Sequence, residues 1–150
     1  MKRLILGILL GVAIFGQPIQ SRAYECQCPK TIEVTYEEAQ ELLKIAWCEA
    51  GNQGIIGQQC VMSVIINRVN SPDFPNSIHD VIFQDNQFAT AGMDKAVPTW
   101  ETHYALAAIE SGDVIPEIIA FEALESHVLN AYFAEAFVVK DHKFFTALSN

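Results

Sequence analysis

Glu49, in the run Trp47-Cys48-Glu49-Ala50-Gly51-Asn52-Gln53-Gly54, has the residue type and placement to do chemistry. Thr35 with Glu38 three residues later makes a capping-box pattern, and Ala39, Leu42, Leu43, Ala46, Trp47 and Ala50 follow at helical spacing. This predicts a helix from Thr35 to about Ala50. Glu49 lies seven residues after Leu42 and three after Ala46, so it leaves the helix on the core face rather than on the wet face of Glu37, Glu41 and Lys44. Gly51 and Asn52 tolerate a left-handed cap, which sets Glu49 in the last turn, beside unpaired carbonyls and the negative end of the dipole. Burial and that dipole both favour the protonated carboxyl. A carboxyl kept protonated near neutral pH is what a general acid for glycosidic cleavage requires. An isolated helix-end Glu more often turns out to solvent, so geometry alone leaves both readings open.

The elements that must position Glu49 can be followed along the chain. Gln53 to Gly57 reads as a tight connection, and Gln58 to about Asn70 as a second helix whose Val61, Val64, Ile65 and Val69 stripe is broadened by Cys60, Met62 and Ile66. A helix that apolar belongs in the centre. Ser71-Pro72 ends it in a two-proline loop, and Ser77 with Asp80 caps a short helix from Ile78 to about Phe83. Residues 84–97 are polar and turn-rich, suited to a groove wall. Pro98-Thr99 opens a helix from Trp100 to about Glu110, with Tyr104, Ala107 and Ala108 on one face and Ser111-Gly112-Asp113 as its stop. Ile118 to Phe121 fits a strand or a helix start, and the Ala, Glu and Leu content of 125–137 favours helix. Val138-Val139 and Phe144-Phe145 flank Lys140-Asp141-His142-Lys143 as a small hairpin or closing strand. Trp47 and Trp100 are expected to pack in the core.

A chain of 150 residues, 51% hydrophobic and without repeats, suggests one domain with a real core. Lys2 and Arg3, the apolar run Leu4 to Gly16 and Ser21-Arg22-Ala23 read as a cleavable signal peptide over 1–23, too short to span a bilayer comfortably. The chain is thus expected to be exported, to the cell wall or periplasm or beyond, without stable membrane insertion after cleavage. Its loss removes three positive charges and no negative ones, taking the formal charge from −9 to −12. Such an acidic protein is unsuited to nucleic acid. In an exported chain, disulfides are expected among Cys26, Cys28, Cys48 and Cys60. Cys48–Cys60 is the attractive pair, because it ties the end of one helix to the start of the next. His79, His103, His127 and His142 form no close metal-binding pair, so neither a metal nor a cofactor is expected.

Several of these segments together resemble the SleB/CwlJ-type cell wall hydrolases, which include spore-cortex-lytic enzymes. The resemblance runs through Cys48-Glu49-Ala50-Gly51-Asn52-Gln53-Gly54, Gly57-Gln58, Val64-Ile65-Ile66-Asn67-Arg68-Val69, Ser71-Pro72-Asp73-Phe74-Pro75, Ile78, Val81-Ile82, Gln84 and Gln87-Phe88. It implies a single, predominantly helical α+β domain over 35–150, lysozyme-like and of the resuscitation-promoting-factor kind, preceded by an irregular entry over 24–34. It also implies Glu49 as catalytic acid in a lytic transglycosylase cleaving peptidoglycan glycan strands between N-acetylmuramic acid and N-acetylglucosamine; the chain itself is expected to be a monomer. Gln58, Gln87 and Phe88 are the substrate contacts carried over from these motifs, and His142 is carried over from Asp141-His142-Lys143-Phe144-Phe145, which resembles the family's closing Gly-x-His-x-Phe-Tyr. Asn67 and Arg68 read as structural hydrogen-bonding residues at the end of their helix.

The chain also departs from that pattern. Gly51-Asn52-Gln53 stands where many members carry Arg-Gly-Glu, and Ala120-Phe121-Glu122-Ala123-Leu124 where the family often shows a Tyr-Phe-Tyr-Asn-Pro-like segment. Activity is therefore expected to be weakened or redirected, and two alternatives stay open: an N-acetylmuramoyl-L-alanine amidase, or a catalytically weak peptidoglycan-binding domain. A hydrolase would need a second carboxylate, and the spacing of Asp73, Asp80, Asp85 and Asp94 selects none of them.

Overall fold

A computed structural model describes residues 32–148. The expected signal segment, most of the entry segment, and Cys26 and Cys28 lie outside the described residues.

Helix α1 (Tyr36–Ala50) starts where its capping box predicts: Thr35 Oγ1 accepts from the Glu38 N–H at 3.2 Å, and Glu38 Oε2 accepts from the Thr35 N–H at 2.8 Å. Together these satisfy donors that a helix start leaves unpaired. At its other end Gly51 is right-handed (φ −59°, ψ −27°), against the left-handed cap expected there. The left-handed residue is Gly54 (φ +72°), so the turn is delayed and α2 begins at once (Gly54–Val69), four residues earlier than its apolar stripe suggested. Eleven of the sixteen residues of α2 are buried, as expected of a central helix.

The short α3 (Ile78–Ile82) is capped by Ser77, whose Oγ accepts from the Asp80 N–H at 3.1 Å. A 3-10 helix covers Thr90–Lys95, and α4 follows (Trp100–Glu110). The buried face of α4 is Thr102, Ala105, Leu106 and Ile109, not that of Tyr104 and Ala107. Its Trp100, expected in the core, is 70% exposed, because Thr102-Ala105-Ile109 supplies the small, closely spaced surface that fits against α2.

The strands are β1 (Ile118–Ala123), β2 (Ala134–Val139) and β3 (His142–Thr146), in an antiparallel sheet of order β1-β3-β2. Residues 125–137 are thus not a helix: they form turns, a 3-10 turn at Leu129–Ala131 and the start of β2. Pairing of Phe137, Val138 and Val139 with Phe144, Lys143 and His142 outweighs a modest local helix preference. The hairpin between Val139 and His142 is as expected, turning at Lys140 (φ +47°).

Two cores result. One lies among the helices around Leu42, Ile45, Val61, Met62, Ile65 and Ile109, and the other joins α2 to the sheet through Cys60, Val64, Ile118 and Phe144. Cys48 and Cys60 are free thiols on these separate cores, so the bridge proposed from the sequence is not formed. Cys48 faces Gly92 of the 3-10 helix instead, and burial pushes the Cys60 thiol up to about 12.

Candidate active site

Glu49 is the penultimate residue of α1, and its side chain is half-buried at the mouth of a groove rather than enclosed in the core. Glu49 Oε1 accepts the Ala89 N–H at 2.5 Å, which ties the 84–89 loop to the end of α1. No other hydrogen bond reaches the carboxyl among the described residues, leaving Oε2 free to face the groove. That loop turns at Asn86 (φ +60°), a residue type whose short side chain tolerates the left-handed region. The turn sets Gln87 and Phe88 along the groove. Gln87 Oε1 lies 3.0 Å from Arg68 Nη1; because an arginine can only donate, the amide must present its oxygen there and keep its N–H groups for a ligand.

The cavity holding Glu49 measures about 510 Å³ and is lined by Asn86, Gln87, Phe88, Ala89, Phe121, Glu122, Ala123 and His142. Phe88 packs on Phe121 with ring centroids 6.1 Å apart, giving the groove an aromatic wall. His142 opens β3 and stands edge-on to Phe121 at 5.6 Å and 84°. Its Nδ1 is buried without a hydrogen-bond partner. Burial pushes the imidazole pKa down, and the Glu49 and Asp141 carboxylates recover part of that shift. The turn carrying Asp141 and His142 is clamped from below: Gln53 Oε1 accepts the Asp141 N–H at 3.0 Å, and Gln53 Nε2 donates to Asp141 Oδ2 at 3.3 Å. Gln53, which stands where many relatives of the resembled family carry an acid, is thus a buried strut.

Four of the five residues singled out from the sequence, Glu49, Gln87, Phe88 and His142, therefore line one cavity. Gln58 does not. Because α2 starts at Gly54, Gln58 is carried inward, fully buried, with Nε2 donating to the Gly54 carbonyl at 3.3 Å. None of Asp73, Asp80, Asp85 and Asp94 lines the cavity; the second carboxylate there is Glu122. Its place depends on tertiary structure: only the β1–β3 pairing brings it opposite Lys143, whose Nζ sits 3.1 Å from Glu122 Oε1. Glu122 Oε2 also accepts from Ser126 Oγ (2.6 Å) and from the N–H groups of Val128 and Leu129 (3.2 Å each). Burial pushes this carboxyl's pKa up, but the hydrogen bonds from Ser126, Leu129 and Lys143 outweigh it and hold it below the usual carboxylate range.

A larger cavity, about 870 Å³, opens at the other end of α1 between Ile32, Glu38, Asn67 and Ile78. Its Glu38 is committed to the capping box and its Glu33 is exposed to solvent, so it lacks a poised carboxyl. Among the described residues, no three His, Cys, Asp or Glu side chains gather in a way that could hold a metal ion.

Comparison with known proteins bears on the family and the fold. The family model described as cell wall hydrolase matches residues 52–145, a span that begins three residues after Glu49. The catalytic domain of the germination-specific lytic transglycosylase SleB from Bacillus anthracis superposes with a TM-score of 0.66 at 20% identity, over 75% of this chain and 97% of that one. The catalytic domain of the Bacillus cereus SleB protein superposes with a TM-score of 0.64 at 21% identity, over 77% and 95%. At such identities the likeness is one of fold, and the α+β, lysozyme-like architecture expected from the sequence is the one observed. No curated protein matches the chain.

Proposed function

The chain belongs to the cell wall hydrolase family, and from that premise we propose that it cleaves peptidoglycan glycan strands as a lytic transglycosylase, with Glu49 as acid and then base. The observation that carries this reading is the unequal state of the two carboxyls in the groove. Glu122 is neutralised by Lys143, and its Oε2 is held by Ser126 Oγ and the N–H groups of Val128 and Leu129, so it is a poor base for activating water. Glu49 has one free oxygen facing the cavity. Hydrolysis of a glycoside ordinarily uses two working carboxyls, whereas transglycosylation needs one.

The steps follow from that single group. Protonated Glu49 gives its proton to the oxygen bridging N-acetylmuramic acid and N-acetylglucosamine as the bond from that oxygen to muramic C1 breaks. The Glu49 carboxylate then takes the proton of the muramic 6-hydroxyl while O6 bonds to C1, closing a 1,6-anhydro ring and restoring the acid. Phe88 and Phe121 offer the sugar an apolar face, and the free N–H groups of Gln87 suit an acetamido carbonyl. The fold shared with the SleB lytic transglycosylase domain supports the assignment. The substrate lies outside the membrane, in keeping with residues 1–23 acting as an export signal on a monomeric enzyme. No described helix is long and apolar enough to cross a membrane.

The test is mass spectrometry of soluble products after the protein, or its Glu49→Gln variant, is incubated with purified peptidoglycan. Anhydro-muropeptides that disappear in the variant are expected. Reducing-end sugars would replace transglycosylation by hydrolysis, free stem peptides would make the protein an amidase, and retained pull-down without products would make it a binding domain.

A further inference from the structure

Arg68, on the last turn of α2, is the unexplained charge near this groove. It is 6% exposed, yet the ion pairs among the described residues are His79–Glu41 and Lys143–Glu122, and neither involves it. Its Nε donates to the Ile119 carbonyl at 2.7 Å and its Nη1 to Gln87 Oε1 at 3.0 Å. A guanidinium carries five N–H groups, so three have no protein partner among the described residues. The group lies over the rings of Phe74 (4.9 Å) and Phe88 (5.3 Å), which hold its plane but supply no counter-charge. Burial pulls its pKa down to about 10, leaving it a cation at any physiological pH. Taking a cation out of water is costly unless an anion meets it.

Arg68 lines a second cavity of about 500 Å³, whose other walls include Phe74, Val128, Leu129 and Phe133. Asn86, Gln87, Phe121 and Glu122 line both this cavity and the one holding Glu49, so the two adjoin. Glu122 is the acid nearest to hand there, but its charge is matched by Lys143. The space thus sets one unmatched, fork-shaped cation beside the apolar side chains of Phe74, Phe121, Val128, Leu129 and Phe133, which suits a carboxylate on a small apolar backbone.

We propose that this chamber is a subsite for the stem peptide, in which Arg68 binds a free peptide carboxylate and so seats the muramyl residue beside Glu49. The inference rests on the peptidoglycan reading above: in that polymer the lactyl carboxyl of muramic acid is tied up in an amide, so the free carboxylates belong to the peptide. Val128, Leu129 and Phe133 would take the alanyl and lactyl methyl groups.

The test is a binding titration, independent of cleavage, of the protein with a soluble disaccharide-tetrapeptide carrying free carboxylates and with the same compound converted to carboxamides. The free acid should bind at least about tenfold tighter, the loss expected when a charge-assisted fork is removed, and added salt should narrow the gap. In Arg68→Gln, with folding checked by its melting curve, the two compounds should bind alike. Equal affinity of the wild-type protein for both, including no detectable binding of either, overturns the subsite. So does a preference for the acid that survives in folded Arg68→Gln. Should Arg68→Gln not fold, the wild-type comparison decides alone. Discrimination without any anhydro product would overturn the transglycosylase reading and leave the subsite standing.

Discussion

Glu122 on β1 and Lys143 on β3 occupy paired positions of the sheet, with Oε1 and Nζ 3.1 Å apart and only 8% and 4% of their side chains exposed. Lys143 Nζ also donates to the Ser126 carbonyl and to Asn130 Oδ1, so the pair fastens the 124–131 segment over the sheet as one side of the groove. Removing one member leaves the other charged and buried. Lys143→Met should destabilise the protein by about 3 kcal/mol in urea denaturation, and the double variant Glu122→Leu/Lys143→Met should recover most of that loss. Because the folded pKa of Glu122 is depressed, its contribution is present above the unfolded carboxylate value of about 4.3 and is lost as pH falls through the folded value. Glu122→Gln should therefore lose less stability between pH 5 and pH 3, each taken as approximate, than the parent.

Glu49→Gln keeps an oxygen to accept the Ala89 N–H but has no proton to give. It should lower kcat by about 10²- to 10⁴-fold, the usual worth of a general acid, with little change in KM. Its melting temperature should match the parent's, since the side chain is half-exposed at a helix end.

His142 has a depressed folded pKa, its burial outweighing the attraction of Glu49 and Asp141. A buried neutral imidazole contributes stability above its unfolded value of about 6.5, which is lost as pH falls through the lower folded value. The urea midpoint of the parent should drop more between about pH 7.5 and pH 5 than that of His142→Phe, whose ring can keep the edge contact with Phe121.

Alanine in place of glycine inside a helix ordinarily stabilises it by about 1 kcal/mol. At Gly57 the sign should reverse, because an added Cβ runs into Gln53 Cβ, and Gln53 is buried and holds Asp141. Overpacking of this kind costs about 1–3 kcal/mol. Gly57→Ala should lower the denaturation midpoint and, by loosening the turn that carries His142, also lower activity.

Much of the helical half could be read from the chain because its signals are local. Thr35 with Glu38 and Ser77 with Asp80 set helix starts through contacts three residues apart, and the apolar run of α2 announces a central helix. The groove residues Gln87 and Phe88 and the turn before His142 were legible for the same reason or through resemblance, whereas Glu49 stands at the mouth of the groove rather than in the core that its spacing suggested. Sequence by itself could not show which way α4 rolls, since Tyr104 and Ala105 are both acceptable to a core and only the shape of α2 chooses between them. Nor could it reveal that residues 134–139 are a strand, because the hydrogen bonds that make them one come from β3. The site divides along the same line. Residue types and spacing determined that a carboxyl ends α1 beside a polar loop. Only the packed structure decided that Gln58 turns inward, that Cys48 and Cys60 stay apart on separate cores, and that Glu122 is neutralised while Arg68 is not. Whether a charge is free or matched depends on which distant segment packs against it, and that information exists only once the chain has folded.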